Sequence, residues 1–374
     1  MISRYGESLK LEIFGASHEP EIGMTLDGVP AGLSVDPEKL QAFLDRRAPG
    51  RNRWSSPRKE KDTPIFRSGI ANGQTTGESI QAVILNEDIR KQDYTSLQHL
   101  PRPGHADFTA WMKYGTDFDM SGGGPFSGRM TAPMCIAGGM CKQWLEQMNI
   151  RIGAHIAWIL DIDDNRFDPL CPDLDAVQTD FPVMNRTCGT QMQEAIIDAA
   201  KNGDSVGGII ECAVVGLPAG LGGPMFDGLE GKLASVLYGI PGIKGVDFGL
   251  GFANAHHHGS YTNDCFILQH GEVHTSTNHS GGILGGISTG MPLLFRAAIK
   301  PTPSISKPQR TVNLDTMEES VLSISGRHDP CIVPRAVPVV EAAAAIAIFD
   351  MILTHHREGA HYGSERITFG NRQN

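Results

Sequence analysis

Two periods organise the apolar positions along the chain. Near the N-terminus, LKLEIFG and EIGMTLDGVP alternate apolar with polar residues and predict two strands flanking a polar loop that carries Ser17 and His18. DPEKLQAFLDRR shifts to helical spacing, with Leu40, Phe43 and Leu44 on one face. Asp36 suits the N-cap of that helix and Pro37 its first turn. TPIFRSGI and ESIQAVIL predict strands, and RMTAPMCIAGGMCKQWLEQM predicts a helix whose Gly138-Gly139 pair either weakens it or lets a neighbour approach closely.

Further on, IGAHIAWILDI and GGIIECAVVGL predict strands around a helix, TQMQEAIIDAAKNG, that stops at Gly203. GLEGKLASVLYGI reads as a helix and GIKGVDFGLGF as a strand. VPVVEAAAAIAIFDMILTHH is a long apolar helix of the kind found in a core. This mixture of strands and helices predicts an α/β or α+β fold. With no Ser/Gly linker, repeat or shift in composition to mark a boundary, residues 1–374 are expected to form one domain.

The chain is 40% hydrophobic and 20% charged, as a folded globular protein is. It holds no uninterrupted run of ~18 apolar residues, so no membrane span is expected. The N-terminal segment lacks the apolar core of a signal peptide, which predicts a cytoplasmic protein. Seven scattered cysteines without a C-x-x-C pair fit reduced thiols, mostly in the core. The net charge of −10 argues against nucleic acid as a partner. Against that background, RRAPGRNRWSSPRKEK (46–61) has seven basic residues and one acidic one. A basic island in an acidic protein suits a small anionic ligand, although a solvated surface loop would read the same way.

Several short stretches could carry chemistry. SGGGPFSG (121–128) precedes a helix and SGGILGGISTG (280–290) precedes the strand PLLFRAAIK; such glycines bring backbone N–H groups close to a ligand. Neither is followed by the Gly-Lys-Ser/Thr of a P-loop, and GLGFAN lacks the third glycine of a dinucleotide fingerprint. His18 in GASHE and His105 in RPGHADF lie on loops, where general acids are presented. His256–His258 invite a metal, but adjacent residues rarely converge on one ion and no cysteine or carboxylate pattern completes a site, so none is expected. KPTPSISKP (300–308) combines a cation, hydroxyls and prolines on a stiff loop and suits phosphate or flavin. GRHDPC (326–331) gathers a guanidinium, an imidazole, a carboxylate and a thiol ahead of the last helix.

Taken in order, FGASHEPEIG, DRRAPGRNR, RPGHADF, KYGTDFDMSGGG, IKGVDFGLGF, NHSGGILGGISTG, KPTPSI and GRHDPCIVPRAVPVVEA resemble the chorismate synthase family from the N-terminus to the final helix. The resemblance implies a β-α-β sandwich, with helices layered between antiparallel-rich sheets, and a homotetramer. It implies a lyase that uses reduced FMN to eliminate phosphate from 5-enolpyruvylshikimate 3-phosphate in a 1,4-anti sense, giving chorismate. NAD(P)H is a candidate reductant of the flavin. His18, His105 and Asp329 match the catalytic positions, the histidines as acids and the aspartate as an aid to proton removal. Ser17, Arg47, Arg53, Arg129 and Arg335 match substrate-binding positions. Ser127, Gly285, Lys300, Thr302, Pro303, Ser304 and Arg327 match flavin-binding ones.

The sequence departs from the family pattern at three places. Gly-Glu-Ser-His-Gly appears as Gly15-Ala16-Ser17-His18-Glu19, Arg-Ser-Ser as Pro125-Phe126-Ser127, and Asn-Ala as Pro241-Gly242. Two other readings stay open at this point: a diverged enzyme acting on a related enolpyruvyl phosphate, and a non-catalytic flavin-binding protein.

Overall fold

The computed structural model describes residues 2–50, 54, 60–86, 99–115, 118–324 and 328–357. Its frame is two five-stranded sheets. The first is built from β1 (Ile2–Tyr5), β2 (Lys10–Gly15), β3 (Glu21–Asp27), β4 (Ile65–Ser68) and β5 (Ile80–Leu85) in the order β1-β2-β3-β5-β4. The second is built from β6 (Arg151–Ile159), β7 (Ile162–Asp163), β8 (Gly208–Val215), β9 (Ile243–Phe248) and β10 (Leu293–Ile299) in the order β9-β10-β8-β6-β7. Every pairing within both sheets is antiparallel, which places the fold in the α+β class.

Among the described residues, seven α-helices accompany the sheets: α1 (Pro37–Arg47), α2 (Asp107–Tyr114), α3 (Thr131–Gln147), α4 (Arg186–Lys201), α5 (Leu229–Tyr238), the single turn α6 (Gly259–Thr262) and α7 (Val333–Arg357). The Asp36 carboxylate accepts from the backbone N–H groups of Glu38 and Lys39 at 2.9 and 3.1 Å, so the expected cap fixes the start of α1. Asn185 caps α4 in the same way, one turn ahead of the predicted start.

The helices α3 and α7 form the middle of the sandwich. Strands β3 and β5 touch α3, strands β6 and β8 touch α7, and the two helices lie against each other. The glycine pair makes that crossing close. A Cβ on Gly138 would lie 2.3 Å from the Ala342 Cβ of α7, and one on Gly139 would lie 2.7 Å from Leu40 of α1. Close packing, rather than local weakness, is therefore the use of these glycines. By length and composition α7 could cross a membrane, yet its most apolar window is wholly buried between the sheets. Two charged residues punctuate it. Glu341 accepts both terminal nitrogens of Arg46 at 2.8 and 2.7 Å, and Asp350 accepts the N–H groups of Glu7, Ser8 and Leu9, tying α7 to the start of β2.

Candidate active site

A cavity of about 780 Å³ opens where the N-terminal ends of α3 and α7 meet the loops before α2 and after β10. Its lining includes Arg47, Arg102, His105, Ser127, Arg129, Lys300, Thr302, Pro303, Ser304, Asp329 and Arg335, brought together from five separate stretches of the sequence.

The arginines are held by buried carboxylates. Asp62 is 2% exposed and sits at φ +50°, a left-handed conformation that a non-glycine residue adopts at a cost. It pairs with Arg47 through one oxygen and with Arg129 through the other. Burial would push its carboxyl up, but the two guanidinium groups outweigh burial and hold it below the usual carboxylate range. Arg47 also donates to Thr131 Oγ1 at 3.2 Å, and Arg129 also meets Glu60 at 2.8 Å and Asn86 Oδ1 at 3.0 Å. The Nη2 of Arg129 is buried without a hydrogen-bond partner among the described residues. From the first turn of α7, Arg335 pairs with Asp329 and donates to the Arg47 carbonyl at 2.9 Å. The carboxylate of GRHDPC is thus joined to the arginine cluster.

The two histidines lie on either side of the glycine loop. Gly122, Gly123 and Gly124 have φ of +61°, +92° and +51°. A Cβ on Gly122 would lie 2.1 Å from the His18 ring, and one on Gly123 would lie 3.2 Å from the His105 ring. Only glycine lets the backbone pass between the two imidazoles in this conformation. His18 is 4% exposed and sits behind Gly122 rather than in the cavity wall. The Ser17 hydroxyl donates to the Ser121 carbonyl at 3.0 Å and lies 3.1 Å from His18 Nδ1. Since the hydroxyl proton is directed to Ser121, Ser17 Oγ is placed to accept from Nδ1. His105 lines the cavity, with its Nδ1 2.8 Å from Asp107 Oδ1.

The loop after β10 supplies hydroxyls and a cation. Lys300 donates to the Gly104 carbonyl; burial, with a lesser effect from Lys244, shifts its ammonium below the ordinary value. The Thr302 hydroxyl is buried without a partner among the described residues. Ser304 accepts from Arg102 at 3.3 Å, and Ser127 caps the turn before α3 by accepting from the Arg129 N–H at 3.3 Å. Gly285 is placed elsewhere, in the hairpin turn between Ile283–Leu284 and Ile287–Ser288, beside Gly222 and away from the cavity lining. Arg53 and Arg327 lie outside the described residues.

Sequence reasoning passed over Glu60, Asp62, Arg102 and Asp107. The signal was present: Arg102 and Asp107 flank His105 within RPGHADF, and Glu60 and Asp62 close the basic island. The island itself divides, since Arg46 faces Glu341 and Arg47 faces the cavity. Of the departures from the family pattern, Pro125, Phe126, Pro241 and Gly242 line the cavity, whereas Glu19 is exposed outside it.

The sequence model of the chorismate synthase family matches residues 9–353. The chain belongs to the chorismate synthase family. It is 42% identical to the chorismate synthase of Lancefieldella parvula, over 98% of this chain and 100% of that one. It is 44% identical to the chorismate synthase of Thermococcus gammatolerans, over 93% and 97%. Its fold is similar to a crystal structure of chorismate synthase, with a TM-score of 0.76 and 25% identity over 95% of this chain and 94% of that one. Identity of this order over nearly the whole length favours the family's activity, that of a carbon–oxygen lyase acting on phosphates, over a diverged or non-catalytic relative.

Proposed function

We propose that the cavity binds reduced FMN and 5-enolpyruvylshikimate 3-phosphate side by side and that the elimination takes place there. The observation that carries this reading is the convergence of His105, Asp329 and four arginines on one space. A volume of about 780 Å³ lies toward the upper end of the ~300–1,000 Å³ usual for small-molecule sites. The lining suits both ligands. Arg47, Arg129 and Arg335 offer planar donors for carboxylate and phosphate, and the unpartnered Arg129 Nη2 and Thr302 Oγ1 are polar atoms that a ligand would satisfy. Tyr114, Phe126 and Tyr238 add flat apolar surface beside Lys300 and Thr302, as a ring system with a phosphate tail requires.

In the reaction a ring C–H bond and the C–O bond to phosphate are broken, a new double bond forms, and there is no net oxidation. Reduced FMN, which Ser127, Lys300, Thr302, Pro303 and Ser304 would hold, would when bound supply electron density to the substrate as phosphate departs. The arginines hold the leaving phosphate and the carboxylates of the substrate. His105, in the cavity wall, and His18, behind Gly122, which lines it, are the two acids of this reading, one toward the departing phosphate and one toward the flavin. Asp329, fixed by Arg335, assists removal of the ring proton. FMN reduction by NAD(P)H belongs to the same reading, as do a cytoplasmic location and a homotetramer. Association with another chain gains support from the hairpin Phe266–Gln269 and Glu272–Thr275, where Phe266, Leu268 and Val273 are 67%, 79% and 63% exposed.

The test is an anaerobic assay of phosphate release with reduced FMN and substrate. Turnover is expected only with flavin, and each ligand should tighten the binding of the other. His18→Ala and His105→Ala should each lower kcat by roughly 10²–10⁴, the usual size of a lost acid or base. Full-rate release from flavin-free protein would refute the reading. Turnover from oxidised FMN and NADPH alone would show that the reductase step resides in this chain.

A further inference from the structure

We propose that Asp107 and Arg102 are positioning residues for His105, fixing which of its ring nitrogens carries the proton and which one meets the ligands. The proposal rests on the reading of His105 as an acid. Asp107 is the first residue of α2, and one of its oxygens lies 2.8 Å from His105 Nδ1. A carboxylate can only accept, so Nδ1 must carry its proton toward Asp107. Arg102 Nη2 also lies 3.2 Å from Nδ1; as a donor it repels a protonated Nδ1, and its own proton goes to Asp107 Oδ1 at 2.7 Å instead. Nε2 is thereby left on the side of Gly123 and the cavity, where in the imidazolium it carries the second proton, the one given up when the ring acts as an acid, so that the neutral ring keeps its proton on Nδ1.

The carboxylate is itself locked. Arg102 donates to it from Nε at 2.7 Å, from Nη2 at 2.7 Å and from its backbone N–H at 2.9 Å. Burial would raise the Asp107 carboxyl, but hydrogen bonds from Arg102 and His105 outweigh burial and hold it well below the carboxylate range, so it stays an acceptor at any working pH. The fifth nitrogen contact of Arg102, from Nη1, reaches Ser304 at 3.3 Å. One buried guanidinium, 5% exposed, therefore ties the acid to the loop assigned to flavin. A carboxylate oriented by an arginine, and in turn orienting an imidazole, performs the task of the third member of a triad: it selects tautomer and ring angle without touching the reacting atoms.

A double-mutant cycle tests the proposal. Asp107→Asn alone should lower kcat about 10²-fold or more, within the range for a lost acid or base, and leave the FMN dissociation constant within about threefold. In a His105→Ala background the same change should have no further effect on kcat, because a residue that acts through another loses its influence when that residue is gone. If His105→Ala itself retains kcat, the reading of His105 as an acid has failed. If His105→Ala is impaired and the two losses multiply, the positioning role has failed while the acid stands. An independent measurement needs no change at Asp107. The ¹⁵N signals of His105, assigned by their loss in His105→Gln, should show the neutral ring with its proton on Nδ1 in the wild-type protein. A proton on Nε2 would overturn the proposal even if Asp107→Asn did not fold.

Discussion

Replacing Gly122 with alanine separates two costs that usually arrive together. The first is conformational: at φ +61° an L-residue is strained, which costs about 1–2 kcal/mol. The second is steric. The new methyl would lie 2.1 Å from His18 Cε1, 2.4 Å from Nδ1 and 3.0 Å from Ser17 Oγ, against a ring that is itself buried. Overpacking of that kind adds about 1–3 kcal/mol. Gly32→Ala is the control, since Gly32 has φ +85° but a Cβ there meets nothing within 4 Å. Denaturant midpoints should therefore give a loss of roughly 1–2 kcal/mol for Gly32→Ala and roughly 2–5 kcal/mol for Gly122→Ala, the sum of the two costs. Activity should divide more sharply. Gly32→Ala should keep its kcat, whereas Gly122→Ala should fall toward the rate of His18→Ala because the ring is displaced. Gly123→Ala, at 3.2 Å from His105, should lie between the two. A Gly122→Ala protein as stable as the control and within twofold of wild-type kcat would refute the placement of His18 behind the glycine loop.

Asp329→Asn should retain FMN binding and lower kcat by roughly 10²–10⁴; single-turnover phosphate release checks this, and an unchanged rate would remove Asp329 from proton transfer. Phe126 lines the cavity with its ring 6.4 Å from that of Tyr114, at a position where the family pattern has serine, next to Pro125 in place of an arginine. Pro125→Arg with Phe126→Ser should tighten FMN about tenfold, one decade per ~1.4 kcal/mol, and make binding more sensitive to salt; titration at two ionic strengths with no change would show that Arg129 already fills the role. His155 is fully buried between Asp164 at 3.2 Å and Glu211 at 3.0 Å. Burial opposes its charge, but those two hydrogen bonds outweigh it and raise its pKa in the folded protein. Its contribution to stability is therefore complete below about pH 6.5, the unperturbed value, and is lost as pH rises through the higher folded value. The difference in urea midpoint between wild type and His155→Asn should shrink with rising pH, and a constant difference would count against a charged imidazole.

Local features of the sequence foretold local features of the structure. The Asp36 cap, the Gly138-Gly139 contact surface and the alternation in β2 and β3 follow from residues within one turn or one strand of each other. The glycine loop ahead of α3 was legible in the same way, but its place between His18 and His105 was not, because the two rings come from other parts of the chain. The salt-bridge geometry was not legible. Asp62 holds partners 15 and 67 residues away, and its left-handed backbone is stable only because those partners surround it. Arg46 and Arg47 are adjacent in a charge run, yet helix rotation sends one to Glu341 and the other to the cavity. Gly285 sits in a two-residue Gly-Gly hairpin turn that the local sequence does encode, whereas the bridge of that hairpin to Gly222 depends on tertiary pairing.

The position of α7 has a consequence for how the protein is made. This helix lies between the sheets and against α1, α3 and α5, yet it follows every other described element in the chain. A ribosome working at about 5–20 residues per second would take roughly 15–65 s to deliver the 332 residues that precede it. Once β8 is complete at Val215, the inner faces of β6 and β8 and the Gly138 face of α3 wait roughly 6–23 s more at that rate with no α7 to cover them. The Asp350 clamp on residues 7–9 closes last, joining the first strands made to the last helix. The docking of α7 therefore cannot begin until the other described elements have been made. Nascent chains halted before Val333 should be caught by chaperones or proteases, and those released after Arg357 should escape them.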